Sequence, residues 1–594
     1  MVAACTSSPT AKSTAPTTTG GDPGNCIVLD VAISSEKTAV MGQLATDFNN
    51  DPSSKVNGKC VFARMLKKAS GAAATLLSNG WPDPKVNGPQ PVIWSPAARG
   101  WGAIVDQRLT VKGQPAIAPP DAKSFMLTPL TIAMPRPMAE ALGWPKTPIG
   151  FADIVALAND PQGWAKFGHP EWGPFRLGKT SPNFSTSGLN FTVAEYYAAT
   201  NKSTGLTRED LARPDVASLV SSVENAVVHY GDTTLTFLNN WFRADQRDSA
   251  LTYTSAVAVE EKSVIDYNSG NPDGELQAGE VPRPPKVPLV AIYPKEGTLF
   301  SDNPLFILNA PWVSADQHAG ALLFQDYLLR PENQTKVLTF HFRPGNPAVP
   351  VGDPIVAANG VDPNEPQAVL DVPAPDVLTE ILDRWQIQRK TARVLIVMDI
   401  SGSMTDPASD GHPETKLQLA KQAAIDALDQ FKDADEVGLR VFSTDLFGQK
   451  GVNSLDLVPI GPIGQTREGL RDRIRNLQGQ QNTPLYDATA DAFTTMVDGY
   501  DATKINAIVL LTDGFNDDGV RSDDQAQLNG LIQELQVGNE GVNTRPVRIF
   551  TIGYGQDADL GVLKQISEAT TGAVYDASNP ATINDVFTAV VSNF

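Results

Sequence analysis

The sequence predicts an α/β protein throughout, built on largely parallel sheets and ending in a doubly wound domain. Three observations carry that prediction. Short apolar runs alternate with helical segments along nearly the whole chain, the pattern of strands joined by helical crossovers. The 594 residues exceed what one hydrophobic core holds, so two or three domains are expected. A stretch rich in Pro, Gly, Asp and Val, 344–375, breaks the alternation as a linker does.

The elements follow in order. "CIVLDVAI", opening at Cys26, is a strand followed by the helical run "SEKTAVMGQLATDFNN". Next come the strand "KCVFARML", the small-residue helix "SGAAATLLSNG" and the strand-like "PVIWSP". Residues 127–145 pair a buried strand with a short helix ended by Gly143 and Pro145. Residues 146–250 carry their own strands and helices, after which "SALTYTSAVAVEEKSVIDYN" and "VPLVAIYPKEGTLFSDNPLFIL" return to buried-strand character. "ADQHAGALLFQDYLLRPENQTKVLTF" reads as two helices parted at Pro331. Beyond the linker, the amphipathic helix "DVLTEILDRWQIQRK" leads into strands "RVLIVMDI", "EVGLRVFS", "NAIVLLTDG" and "VRIFTIGYG", with helical segments between them. In a doubly wound sheet of this kind, ligands bind beyond the carboxyl ends of the strands.

Composition excludes several functions. The chain has 47 basic and 67 acidic side chains, a net charge of −20, which argues against nucleic acid or an anionic membrane surface as partner. Its five histidines, His169, His229, His318, His341 and His412, form no H-E-x-x-H pair, so a zinc hydrolase is not indicated. With no G-x-S-x-G and no cysteine–histidine pair, the chain does not read as an enzyme. Residues 173–180 do match the phosphate-binding pattern G-x-x-x-x-G-K-S/T through Gly173, Gly178, Lys179 and Thr180. That motif needs a strand before it and a helix starting at the lysine. Proline and tryptophan precede it here, and Pro182 stands where the helix should be under way. The match is accidental.

Cys26 and Cys60 each open a short apolar run. If the two strands start level, the sulfurs fall within bridging distance; otherwise the pair are buried thiols. Cys5 lies in "VAAC", before a Ser/Thr/Pro/Gly run from Thr6 to Gly24 that has the composition of a flexible tether. "VAAC" resembles the lipobox of bacterial lipoproteins, which implies lipidation of Cys5, although the basic and apolar parts of a signal peptide are missing upstream. The alternative is an ordinary cysteine in a disordered tail. No run reaches the eighteen apolar residues of a membrane-spanning helix, so the membrane is met only through a lipid. An exported protein, anchored at the cell surface or in a periplasm-like space, fits both the tether and a disulfide.

Three segments of the last domain stand out: "DISGSM" (399–404), "NTP" (482–484) and "LLTDG" (510–514). Asp399, Ser401 and Ser403 follow a buried strand on its carboxyl-end loop, and their alternate spacing lets all three side chains turn to one point. Asp513 ends another buried strand, and Thr483 precedes a helix. Such an all-oxygen set suits a hard divalent cation, Mg²⁺ or Mn²⁺, although Asp399 and the serines also make ordinary helix caps. The pattern resembles the von Willebrand factor A domain and its metal-ion-dependent adhesion site, over 390–594. The resemblance implies that Asp399, Ser401 and Ser403 hold the ion directly and that Thr483 and Asp513 do so directly or through water. It also implies an open coordination position, filled by water or by a carboxylate of a partner protein.

Residues 25–345 resemble the two-lobed periplasmic-type solute-binding proteins. "FRLGKTSPNFSTSGL" looks like the second-lobe strand, Thr-x-Pro turn and Ser-rich helix start of that family. "VIWSPAARGW", "PLTIAMPRPMAEALGWP" and "LLFQDYLLRPENQ" add to the likeness. It implies two lobes around a cleft, the second roughly 126–250, followed by a linker and connecting helix at 346–389. Ser185, Thr186 and Ser187 at a helix start, with Ser34, Ser35 and Ser95 from the first lobe, are the candidate contacts for a small polar solute. Helix capping without a ligand explains the same residues. Arg99 and Lys179 are the cations nearby in sequence. The preferred expectation is a surface-anchored binding or adhesion protein; the alternative is the solute-binding component of an ABC-type importer, with the last domain as a docking module.

Overall fold

The computed structural model describes residues 18–19, 21–276, 281–408, 414–519, 523–539, 545–579 and 582–594. Cys5 lies outside them. Three sheets organise the chain. The first has the order Thr18–Thr19, Lys59–Lys67, Ile27–Ile33, Ile93–Ser95, Phe306–Ile307, with Lys55–Val56 on the flank of Lys59–Lys67. Ile27 pairs with Val61 in parallel register, so Cys26 and Cys60 sit level one step earlier. They form a disulfide, with Cα atoms 4.7 Å apart.

The second sheet runs Leu289–Ile292, Met126–Pro135, Ala256–Glu260, Leu177–Thr180, Val227–Gly231. Ala256–Glu260 lies at its centre, so the second lobe extends past the expected bound at 250. Largely parallel pairing does not hold here either, because Met126–Pro135 is antiparallel to all its partners. This ten-residue strand starts in the core of the first lobe, at Met126, and ends in the second. A crossover strand enters the second lobe from the first, opposite in sense to that lobe's own βαβ strands. Phe300–Ser301 and Arg343–Pro344 pair along it, so several passes of chain join the lobes.

The third sheet has the order Ser454–Pro462, Glu436–Phe442, Ala392–Asp399, Ile505–Thr512, Arg548–Tyr554, Val574–Ala577. All pairs are parallel except that of Ser454–Pro462, an edge strand the sequence pattern did not disclose. Strand order reverses on either side of Ala392–Asp399, which places a topological switch point at its carboxyl end.

The helix Pro375–Gln388 ties these bodies together. Pro375 occupies its first turn, where a missing N–H costs nothing. Val377, Leu378, Ile381, Leu382 and Trp385 form its buried stripe, spaced for one helical face. The stripe packs on helix Gly100–Val111 of the first lobe and on Thr186–Thr200 and Pro214–Asn225 of the second. Gly100 lies in this contact: a Cβ there would meet the Leu378 methyl at 3.7 Å and that of Leu189 at 4.0 Å, ordinary packing distances. At the rim, Tyr196 donates to Gln388 (2.6 Å) and Arg208 pairs with Glu380 (2.8 Å). One continuous apolar cluster runs through both lobes, this helix and the third sheet. Among the described residues no helix is long and apolar enough to cross a membrane.

The disulfide closes a loop with a sequence separation of 34. Replacing Cys26 and Cys60 by serine is expected to lower stability by about 3–4 kcal/mol, read as a fall in the denaturant midpoint of the first lobe. An unchanged midpoint would show that the crosslink is dispensable.

Candidate functional site

The carboxyl ends of Ala392–Asp399 and Ile505–Thr512 bring four oxygen-bearing side chains together. Asp399 is fully buried; one carboxylate oxygen accepts the Ser401 amide (2.8 Å) and the other the Thr512 hydroxyl (2.6 Å). Ser401 and Ser403 share a hydrogen bond of 3.0 Å, and Ser403 donates to Asp513 (2.8 Å). Burial pushes the Asp399 carboxyl up to about 7, helped by the nearby Asp513 charge and opposed by its hydrogen bonds. A carboxylate held this way, with no basic partner of its own, is stabilised by any cation that reaches it.

Thr483 arrives from a different loop, and backbone bonds put it there. Gly402 donates to Gln481 O (2.7 Å), Gln480 to Ile400 O (2.6 Å), and Thr483 and Asp517 exchange both of their backbone bonds (3.1 and 2.7 Å). Its hydroxyl makes no hydrogen bond among the described residues. Gly514 lies between Thr483 and Ser403: a Cβ there would stand 3.8 Å from the Thr483 hydroxyl and 4.0 Å from that of Ser403. Asp399, Ser401, Ser403 and Asp513 lie together at the switch point, and Thr483 stands across Gly514 from Ser403.

Sequence reasoning missed Lys416. This lysine opens the helix Lys416–Ala427, capped by Thr415 and Gln418, and its buried ammonium bonds Asp513 at 2.7 Å. Asp557 approaches the same ammonium at 3.3 Å. Asp513 therefore already has a cation on one oxygen, while Asp399 has none. Nothing in the motif spacing announces Lys416. Thr512 was legible, since it stands beside Asp513 in the same strand end.

The predicted interlobe residues divide. Ser35, Ser185 and Thr186 line a space of only about 30 Å³, together with Glu36, Thr234 and Glu260. Ser34 donates instead to Glu36 (2.5 Å), Ser95 accepts from the fully buried Lys37 (3.1 Å), and Ser187 is enclosed by Thr180 and Thr234 (2.8 and 2.7 Å). The lobes touch across this space. Gly71 donates its amide to Phe184 O (3.1 Å), and the Trp101 indole N–H bonds Thr186 (2.8 Å). Two carboxylates make the space acidic, and burial with the Glu36 charge pushes Glu260 up to about 7. Neither expected cation reaches it. Arg99 is paired with Asp302 (2.6 Å), and Lys179 is buried between Glu195 (2.9 Å) and Glu224. Lys179 stands within strand Leu177–Thr180, seven residues before helix Thr186–Thr200 begins, which removes the nucleotide motif on structural grounds.

The structure thus consists of two lobes joined by crossover strands, with a doubly wound domain appended. A family model described as bacterial extracellular solute-binding protein matches residues 29–343, more than half of the chain. The chain belongs to that family, and a von Willebrand factor type A domain model matches residues 394–589. Membership in an extracellular family points to export. An uncharacterized protein of Mycobacterium tuberculosis, present in two strains, is 22% identical over 561 residues, 92% of this chain and 73% of that protein. Among solved structures, a von Willebrand factor type A protein from Catenulispora acidiphila is 22% identical, with a TM-score of 0.26, over 34% of this chain and 43% of that one. This chain therefore spans less than half of that protein. The periplasmic binding protein AfuA from Actinobacillus pleuropneumoniae, with fructose-6-phosphate bound, is 14% identical, with a TM-score of 0.39, over 61% of this chain and 99% of that one.

Glu260 gives a pH test of the interlobe space. Its carboxyl rises from the ordinary 4.5 to about 7 on folding, so its contribution to stability is fully present below pH 4.5 and lost as pH rises through 7. Glu260→Gln is expected to raise stability by about 2–3 kcal/mol at pH 8, with the gain vanishing near pH 4.5. Thermal melts of both proteins at the two pH values check this; an equal shift at both would assign the effect to packing.

Proposed function

We propose that this chain is an exported binding protein whose C-terminal domain holds a divalent cation, Mg²⁺ or Mn²⁺, and through it captures a carboxylate of a partner protein. The observation that carries the reading is the convergence of Asp399, Ser401, Ser403, Thr483 and Asp513 around Gly514. These are hard oxygen donors with a buried, unneutralised carboxylate at their centre, and Thr483 has a hydroxyl free to coordinate. Asp399, Ser401 and Ser403 would hold the ion, with Thr483 beside them; Asp513, engaged by Ser403 and Lys416, would take part through its remaining capacity or through water. The ion supplies Lewis acidity for an incoming carboxylate. The chain's own residues orient it and leave a side open.

Lipidation of Cys5 would keep such a protein at the membrane; the tether expected to run to Gly24 is shorter than that, because Thr18–Thr19 pairs with Met65 and Leu66 in the first sheet. In this reading the two lobes serve as a platform. The space between them admits little more than a water molecule, and helix Pro375–Gln388 packs on both. Those observations favour a scaffold over the alternative, delivery of a small polar solute to an importer, which requires lobes that open.

Native mass spectrometry in magnesium-containing buffer is expected to show one bound divalent ion, lost in Asp399→Ala. A metal-free mass for both proteins would reject the site. Lys416→Gln removes the cation that competes for Asp513, so its ion affinity, by titration calorimetry, is expected to rise about tenfold, equivalent to ~1.4 kcal/mol. Unchanged or weaker binding would show that Lys416 supports the site instead of opposing it.

A further inference from the structure

A cavity of about 710 Å³ lies where both lobes, helix Pro375–Gln388 and the C-terminal helix Ile583–Val591 meet. That size matches a site for a small organic ligand. Phe184 borders both this cavity and the narrow interlobe space, so the two are neighbours. Because Leu382, Trp385, Val591 and Phe594 wall it, the cavity exists only when the C-terminal domain is docked. It is not a part of the two-lobed fold alone.

Most of its polar lining is hydrogen-bonded within the protein, but several side chains are not. The Arg108 guanidinium, at the end of helix Gly100–Val111, makes no hydrogen bond or ion pair among the described residues, and burial pulls it below the ordinary value. Asp383 lines the same cavity and acts on Arg108 through its charge without an ion pair. The Gln107 and Asn183 side chains also line the cavity without protein partners among the described residues. Lys112 adds a second positive charge beside them, bonded to neutral oxygens of Ser78 and Asn79 (2.7 Å each). Arg389 brings no free charge, since Asp435 neutralises it at 2.6 Å. With Arg108 and Lys112 set against Asp383, the recess keeps one net positive charge in a chain of net charge −20, and aromatic and aliphatic side chains wall it.

We propose that this cavity is a binding site for a small organic anion with an apolar body, its acidic group forked by Arg108 and its body seated against Phe184, Leu382 and Phe594. Arg108 presents parallel N–H donors to the two oxygens of a carboxylate or sulfonate, and the low-dielectric walls strengthen the pairing. Such a ligand would touch both lobes and the C-terminal domain at once, so its binding would stabilise the docked arrangement.

The probe is 8-anilinonaphthalene-1-sulfonate, an arylsulfonate whose fluorescence reports transfer from water. With the full chain, one saturable site per molecule is expected, confirmed as a single adduct by native mass spectrometry. Arg108→Gln is expected to weaken it at least tenfold while leaving the melting temperature unchanged, because the guanidinium bonds nothing in the fold. The neutral N-phenyl-1-naphthylamine is expected to bind at least tenfold more weakly than the sulfonate. No adduct, many weak sites, an undiminished Arg108→Gln, or equal binding of the neutral probe would each overturn the proposal. Loss of metal binding in Asp399→Ala leaves this test unaffected, so the two readings fail separately.

Discussion

Five apolar side chains on one helix hold three bodies in a single arrangement. Val377, Leu378, Ile381, Leu382 and Trp385 have little to bury against in an isolated segment; docked, they contribute of the order of 10 kcal/mol before the entropy of ordering is subtracted. Because the stripe packs on both lobes and the helix runs on into strand Ala392–Asp399, its docking bears on the relative positions of all three bodies. The interlobe space is narrow for this reason. The larger cavity beside it is what remains where three convex bodies meet.

Charges buried along the same seam make the arrangement specific. Lys179 sits between Glu195 and Glu224, Tyr230 donates to Glu224, and the Tyr230 ring meets Trp385 edge-on with centroids 5.4 Å apart. Asp435 binds Arg389 (2.6 Å) and the amides of Ala392 (2.8 Å) and Lys432 (2.9 Å), so one carboxylate fixes the angle at which the chain enters the third sheet. Buried ion pairs of this kind add little net stability. Removing one partner leaves an uncompensated charge, however, and misdocked arrangements carry that penalty.

How much of this was legible depends on the range of the interactions. The α/β class, the doubly wound last domain and the helix at Pro375–Gln388 follow from local periodicity. The cluster at Asp399 was legible because a strand end puts D-x-S-x-S on one loop, and a second strand end places Asp513. Antiparallel pairing along Met126–Pro135 was not, because a crossover strand reads locally like any other buried strand. Lys416 and Glu260 were hidden for a similar reason: an ordinary helix start and an ordinary strand end acquire their roles only through neighbours distant in the chain. Lys179 is the instructive failure of pattern matching. The letters of a phosphate loop were present, but the lysine belongs to a strand and its charge is consumed by two glutamates.

The third sheet meets the lobes at the amino end of Ala392–Asp399 and presents Asp399 at the other, roughly 25 Å away at the rise of a β-strand. That separation has a mechanical consequence. A pull applied at the Asp399 end, with the lobes held fixed, runs along a central strand hydrogen-bonded in parallel on both sides, to Glu436–Phe442 and Ile505–Thr512. The load falls on those bonds in shear, many at once, instead of unzipping them singly. It then reaches the Arg389–Asp435 clamp and the packed stripe of Pro375–Gln388. Under tension the yielding point is therefore the seam between the bodies and not the sheet, and the lifetime of the assembly under force is set by how fast that seam opens.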